Sequence, residues 1–278
     1  MTTAPLSPAA QAFDAVAGSF ERRYGGWLSV AAQRRAVRSA LRSAFPPGAR
    51  VLELGGGTGE DALWLARHGR SVLTTDASPA MVRLARERLR SAPNARAEVA
   101  AAEEIGGVAP AWADAEEPFD GAFSNFAALN CVPELEPVAR GLAGLLRPGA
   151  RALLVLFGPL PPGEVVVQIA RGTPREGLRR LARGEAPARL GGREFRIRYH
   201  RPGEVERAMV PWFRPVRRLG IGVFVPPSAA EPWISRHPAL LRALEALDRV
   251  ASRPLALLGD HVLYDFRRTA DPAPREAR

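Results

Sequence analysis

The sequence predicts an open α/β sheet of seven strands, mostly parallel with the last strand antiparallel, carrying helices on both faces. Three observations predict it. Short apolar runs alternate with helical patterns between residues 50 and 158. The first run, Val51-Leu52-Glu53-Leu54, turns through Gly55-Gly56-Gly57-Thr58-Gly59 straight into a helical pattern. The second run ends on a carboxylate, Asp76. Strands alternating with helices at this spacing build βαβ units, whose strands lie parallel and bury both faces.

Taken in order, residues 1–10 are small and Pro-containing, as fraying termini are. From Gln11 to about Phe45 the pattern is helical, with Phe13, Val16 and Phe20 on one face and Ala36, Val37, Ala40 and Leu41 repeating farther on. Arg22-Arg23-Tyr24-Gly25-Gly26 interrupts it, and Pro46-Pro47-Gly48 leads into the glycine strand. Glu60 to His68 reads as a helix with acids in its first turn and Gly69 at its end, as dipole and C-cap logic expect. Ser71 to Asp76 is the second strand. Ser78 and Pro79 supply an N-cap and first-turn proline for a helix with Met81, Val82, Leu84, Ala85 and Leu89 inward. Arg96–Ala101 and Phe119–Asn125 read as strands three and four. Leu135, Val138, Leu142 and Leu145 mark a helix stopped by Pro148-Gly149, before the fifth strand, Ala152–Phe157.

Beyond Phe157 the pattern is less regular. Residues 171–193 are rich in Arg and Gly and read as a basic helix followed by a turn. Arg193 to His200 alternates Phe195, Ile197 and Tyr199, as a strand with one exposed face does. Glu204–Trp212 reads as a helix and Val216–Val225 as the sixth strand. Pro226-Pro227 opens an insertion with Trp233 and a helix carrying Leu240, Leu241, Leu244, Leu247 and Val250 on one side. His261–Arg268 returns as the seventh strand, antiparallel to the sixth. The whole is expected to be one domain over residues 1–268, with 269–278 as a tail.

At 278 residues and 46% hydrophobic content the chain can bury a full core. The formal net charge of +10 raises the question of an anionic partner. Every one of the 39 basic residues is arginine, which points to coding bias and a solvated surface. Cys131 is the only cysteine, which excludes an intrachain disulfide and a Cys-rich metal site. No basic leader precedes an apolar stretch and no apolar run is long enough to span a membrane, so a cytoplasmic protein is expected.

In an open sheet of this kind the ligand lies beyond the C-terminal strand ends, where strand order reverses. The glycine turn and Asp76 should therefore share a pocket, and Asp76 follows the turn at about the separation at which dinucleotide folds place a ribose-binding acid, roughly 20 residues. A dinucleotide fingerprint beginning at Gly55 would need glycine where Glu60 stands. Acids at Glu60 and Asp61 would also repel a pyrophosphate at that helix start. A cofactor without phosphate, bearing a cation and a ribose, suits these charges.

Glu53-Leu54-Gly55-Gly56-Gly57-Thr58-Gly59 closely resembles the first motif of class I S-adenosylmethionine-dependent methyltransferases, a Rossmann-like family. Asp76 followed by Ala77-Ser78-Pro79-Ala80-Met81 resembles the second element, and Leu146-Arg147-Pro148-Gly149 the segment before the fifth strand. The likeness spans about residues 50–158 and is nearest the small-molecule enzymes with an N-terminal helical cap and C-terminal insertions. It implies a cap over 1–48, a cofactor core over 49–158, acceptor-side insertions with the sixth strand over 159–260 and the returning strand over 261–268. It implies S-adenosylmethionine as cofactor, with Gly55, Gly57 and Gly59 holding the methionine part, Glu53 orienting the turn and the amino group, and Asp76 binding the ribose hydroxyls. Ala77 and Met81 would pack on the adenine, Ala102 and Glu103 would reach its edge, and Asn125 would line the pocket near the methionine and acceptor. Ala101 stands where the family often has Asp, which removes one side-chain contact to the adenine. Gly56 stands where many members carry Cys or Ala, and is expected to be neutral because only its backbone is used.

Methyl transfer from a sulfonium asks the protein for alignment, exclusion of water and at most a base. His68 belongs to a helix end, His200 and His237 lie near prolines, and His261 is the candidate base. Tyr24, Trp212, Phe224 and Trp233 are the candidate walls for a small-molecule acceptor, and the basic segment 171–193 could steer an anionic one. A nucleic-acid methyltransferase is the alternative that the charge suggests. After strand four, however, the chain reads Ser124-Asn125-Phe126-Ala127-Ala128 where base-modifying members carry N/D-P-P-Y/F. A non-catalytic binding subunit is disfavoured by the intact glycine turn and Asp76. Nothing in the sequence identifies the oligomeric state.

Overall fold

The structure, a computed structural model, describes residues 5–107, 117–181 and 184–270, with the side chains of Arg23 and Tyr24 outside that description. Ser7 opens α1 (Pro8–Tyr24), its hydroxyl accepting from the Ala10 amide, and α2 (Leu28–Ala44) follows. Then come β1 (Arg50–Leu54), α3 (Glu60–Arg67), β2 (Ser71–Asp76), α4 (Pro79–Arg88), β3 (Ala95–Val99), β4 (Phe119–Ser124), α5 (Glu136–Leu145) and β5 (Leu146–Phe157). The stop and start signals act as expected. Gly69, with φ +79°, follows the His68 cap of α3, and the Ser78 hydroxyl accepts from the Met81 amide at the head of α4. Pro148-Gly149 falls inside β5 rather than before it, where the pairing of β4 with β5 shifts register between Phe119 and Gly121.

The second half holds α6 (Pro162–Ala170), α7 (Pro174–Gly177), a hairpin of β6 (Glu185–Leu190) and β7 (Arg193–Arg198), α8 (Pro202–Met209), β8 (Phe213–Ile221), α9 (Pro238–Ala251) and β9 (His261–Arg268). The main sheet has seven strands in the order β3-β2-β1-β4-β5-β9-β8. β9 pairs antiparallel with both β5 and β8, so it alone runs against the rest. Strand order reverses between β1 and β4, which places the crevice above the glycine turn.

Two expectations in this half need correcting. Residues 171–193 do not form a basic helix: α7 is a single turn, and residues 185–190 are a strand paired with β7 across Gly191-Gly192. α9 does not bury its apolar side. Leu241 and Leu244 pack with Ala32, Val225 and Ile234, whereas Leu240, Leu247 and Val250 are exposed.

Alternation along the strands divides the core. Leu52, Leu54, Leu154, Leu156, Val262 and Tyr264 face α5 and α8, while Val51, Val72, Phe123, Val155 and Leu263 face α2, α3 and α4. Each such fully buried side chain contributes about 1.5–3 kcal/mol. Glu53 points to the same side as Val51, so its carboxylate is carried into the interior beneath the turn.

Candidate cofactor and acceptor site

The bend between β1 and α3 is built by Gly55, Gly57 and Gly59 at φ +66°, +56° and +77°, the left-handed region that costs glycine nothing. Gly57 is the most open of them: a Cβ built there meets nothing within 4 Å, which leaves its backbone face free for a ligand. Gly56 is not neutral, as the sequence suggested. A Cβ there would collide with Thr74 Oγ1 and come within 2.6 Å of Glu53 Oε2. The interior under the turn is already filled by those two side chains.

The turn and the acid of the second strand meet. The Gly57 amide donates to Asp76 Oδ2 at 2.9 Å and the Ser78 amide to Asp76 Oδ1 at 2.9 Å. An ionised carboxylate offers about four acceptor positions, so each oxygen keeps capacity for a ribose hydroxyl. Burial pushes the Asp76 carboxyl above its ordinary range, and the two amides pull it back. Below the turn, Glu53 is buried, and Oε2 has no hydrogen-bond partner. Desolvation, with Asp61 adding to it, pushes its carboxyl up to about 8. A buried carboxyl with one unpartnered oxygen under a glycine bend is what a ligand bearing an ammonium group would satisfy.

The acids at the start of α3 are not free, contrary to the electrostatic expectation built on them. Asp61 is held by Arg34 at 2.8 Å, Arg38 at 2.7 Å and the Asn125 amide at 2.8 Å, and Glu60 pairs with the same two arginines. Their repulsion of a pyrophosphate is therefore largely cancelled by α2. The sequence could not show this, because Arg34 and Arg38 lie one helical turn apart in a segment of many arginines. Asn125 reaches the crevice, but its amide is engaged by Asp61 and its carbonyl by the Phe126 amide at 2.8 Å. Phe126 and Ala127 follow at φ +48° and +59°, a conformation that non-glycine residues rarely adopt and that clusters at functional sites.

The side of the crevice that carries Asp76 is roofed by α1. Asp14 Oδ1 accepts from Ser78 Oγ and the Ala80 amide, both at 2.8 Å, and Thr58 donates to Glu21 Oε1 at 2.9 Å. Met81 is buried against Phe13, Ala17 and Phe20 of that helix, so α1 and not an open crevice holds its side chain, while Ala77 stays half-exposed. Ala102 and Glu103 begin the single turn after β3. Burial, followed by the carboxylates of Asp76 and Glu103, pushes the Cys131 thiol up to about 12.

Residues 51–149 match the family model described as a methyltransferase domain. Over those residues the chain is similar to a methyltransferase domain. No curated protein matches the chain. Among solved structures, the CcbJ methyltransferase from Streptomyces caelestis is 18% identical with a TM-score of 0.54, over 86% of this chain and 90% of the other. A TehB-like S-adenosylmethionine-dependent methyltransferase from Corynebacterium glutamicum is 16% identical with a TM-score of 0.50, over 91% and 98%. The geranyl diphosphate C-methyltransferase from Streptomyces coelicolor, solved with Mg2+, geranyl diphosphate and S-adenosyl-L-homocysteine, is 16% identical with a TM-score of 0.51, over 85% and 79%. The chain has the Rossmann-like fold of the S-adenosylmethionine-dependent methyltransferases.

On the acceptor side the candidates separate. His261 opens β9 between Phe157 of β5 and Ile221 of β8, at the same strand ends as the glycine turn. Its ring stacks on Phe157 at 5.2 Å and meets Phe126 edge-on at 6.1 Å. Burial pushes it below the usual histidine range, and Nδ1 has no hydrogen-bond partner. Trp212 is at the other end of the sheet. It lines a cleft of about 380 Å³ with Pro118, Arg140 and Arg147, where β4 and β5 begin, so it cannot wall a pocket near the turn. A second cleft, of about 620 Å³, lies outside edge strand β8 and brings together no catalytic constellation. Phe224 and Trp233 follow β8 toward the correct end but are exposed, Trp233 stacking on His237 at 4.9 Å. Tyr24 ends α1, and its side chain lies outside the described residues.

Sequence reasoning missed the buried group around His261: Glu164, Arg180, Tyr199 and Asp260. Only Tyr199 had a signal, as the last residue of an alternating strand. Glu164 and Arg180 sit in segments whose composition reads as surface. His68 and His237 both bond a backbone carbonyl one helical turn back, and His200 bonds the Val132 carbonyl at 2.9 Å.

Proposed function

We propose that this chain transfers a methyl group from S-adenosylmethionine to a small-molecule acceptor. The observation that carries the reading is the Gly57 amide held on Asp76 beneath an open glycine turn, with the unpartnered Oε2 of buried Glu53 alongside. Bound there, S-adenosylmethionine supplies an electrophilic methyl group. The residues of the chain do the rest. Asp76 accepts from the ribose diol, the backbone of Gly55 to Gly59 cradles the methionine part, and Glu53 balances the ammonium. Arg34, whose guanidinium lies 4.6 Å over the Phe126 ring, shields the acids of α3 from that same group. α1 and the 185–198 hairpin exclude water from above.

His261 is the base in this reading. Held neutral near pH 7 by burial, it keeps a lone pair to take a proton from the acceptor as the methyl group arrives. Phe126 and Phe157 fix its plane. The structural relative that carries geranyl diphosphate supports a small-molecule acceptor for this fold.

Calorimetry with S-adenosylhomocysteine tests the cofactor half. Asp76→Ala is expected to lose about 1–3 kcal/mol of binding, the scale of a hydrogen bond to a charged group. Unchanged affinity would remove Asp76 from the site, and no binding by the unaltered protein would overturn the function. Uptake of labelled methyl from S-adenosylmethionine into a small-metabolite pool tests the acceptor half.

A further inference from the structure

Around His261 the chain buries more charge than its fold requires. Asp260 precedes it, and each oxygen of that carboxylate already accepts a hydrogen bond from another group. Oδ1 accepts from Arg180 Nη2 at 2.6 Å and Oδ2 from Gln33 Nε2 at 3.0 Å. Arg180 also donates through Nη1 to the Asp260 carbonyl at 2.5 Å, and it pairs with Glu164 Oε2 at 2.5 Å. Its guanidinium lies 4.7 Å over the Phe157 ring on which His261 stacks. The approach of His261 Nδ1 to Asp260 Oδ2 is 3.4 Å, without a hydrogen bond. A histidine beside a buried aspartate would ordinarily bind it and become the cationic half of an ion pair. Here Gln33 and Arg180 hold the aspartate instead.

We propose that Arg180 and Gln33 are positioning residues that keep the Asp260 carboxylate from hydrogen-bonding the imidazole beside it and so leave His261 Nδ1 unpaired. The groups packed about the ring are consistent with this. Asp260 favours the imidazolium and Arg180 opposes it, Glu164 of α6 faces Arg180, Arg34 of α2 faces Phe126, and Tyr199 stands behind Phe157 at 5.7 Å. Arg180 comes from the turn after α7 and Gln33 from α2, so two segments on either side of β9 converge on one carboxylate. The importance of a free Nδ1 rests on the reading of His261 as base, whereas the positioning itself does not.

Nuclear magnetic resonance titration of the imidazoles, with the His261 signal assigned by its absence in His261→Gln, reads the effect without cofactor or acceptor. In Gln33→Leu, Asp260 Oδ2 loses its donor and turns to the ring, and in Arg180→Gln the opposing cation is gone. Each is expected to raise the His261 midpoint by roughly half a unit or more. Asp260→Asn is expected to lower it and to abolish the response to Gln33→Leu. Arg180→Gln leaves buried Asp260 without its guanidinium and Glu164 with Arg179 alone, and can fail to fold. Gln33→Leu removes one neutral hydrogen bond and carries the test alone in that case. A midpoint unchanged in folded Gln33→Leu overturns the proposal. With an acceptor in hand, an acid limb of kcat that follows the midpoint across these variants ties it to catalysis. A limb that stays fixed while the midpoint moves refutes the base and leaves the positioning standing.

Discussion

Glu53 shows how a single residue can couple the site to stability. Its folded carboxyl is pushed up to about 8 from the ordinary 4.5, burial being the main cause. Between those two values the native state holds a proton that the unfolded chain releases, so stability is greatest below the lower one and falls as pH rises through the upper one. Thermal unfolding followed from pH 5 to 8.5 should show Tm declining with pH, and Glu53→Gln should flatten that slope. Parallel slopes in the two proteins would mean that Glu53 is solvated or paired in solution. The acid itself was legible in the sequence as the residue before a glycine turn. Its burial was not, because that depends on Thr74 from the neighbouring strand filling the space at Gly56.

At the scale of elements, α1 closes the cofactor side by bonds to two separate turns. Asp14 caps the head of α4 and Glu21 takes the Thr58 hydroxyl, while Phe13 packs on Phe195 of the hairpin at 6.1 Å. Asp14→Ala removes a cap, a loss of about 1 kcal/mol, and should speed amide exchange across residues 8–24 and at the start of α4. Exchange unchanged in that variant would assign the hold on α1 to its aromatic contacts alone. The helix was legible from its period. Its position over Ser78 was not, since a lone Asp on an amphipathic helix reads as solvent-facing. The hairpin had a signal that the arginines obscured: Gly191-Gly192 between Ala186-x-Ala188-x-Leu190 and Phe195-x-Ile197 is a two-residue turn flanked by alternating side chains.

At the scale of the molecule, buried acids draw pairs of arginines, and the net +10 is the excess of arginine left beyond all the acids. Arg151 and Arg217 converge on buried Asp265, Arg34 and Arg38 on Asp61, and Arg179 and Arg180 on Glu164. A mixed-sequence oligonucleotide is expected to show at most weak retention at low salt, lost at moderate salt. Tight binding that falls steeply as salt rises would favour a nucleic-acid acceptor. Among the described residues, no helix is long and apolar enough to cross a membrane.

The sequence alone determined the parallel part of the sheet and the pairing of the glycine turn with Asp76. Each follows from local period, turn chemistry and a short βαβ separation, which are written along the chain. Only the tertiary structure decided what surrounds His261. Gln33, Phe126, Phe157, Arg180 and Asp260 come from five segments, and the antiparallel return of β9 between β5 and β8 makes them neighbours. The same return leaves Trp212 at the opposite end of the sheet. Contacts of that range depend on strand direction and the path of insertions, and no local pattern records either.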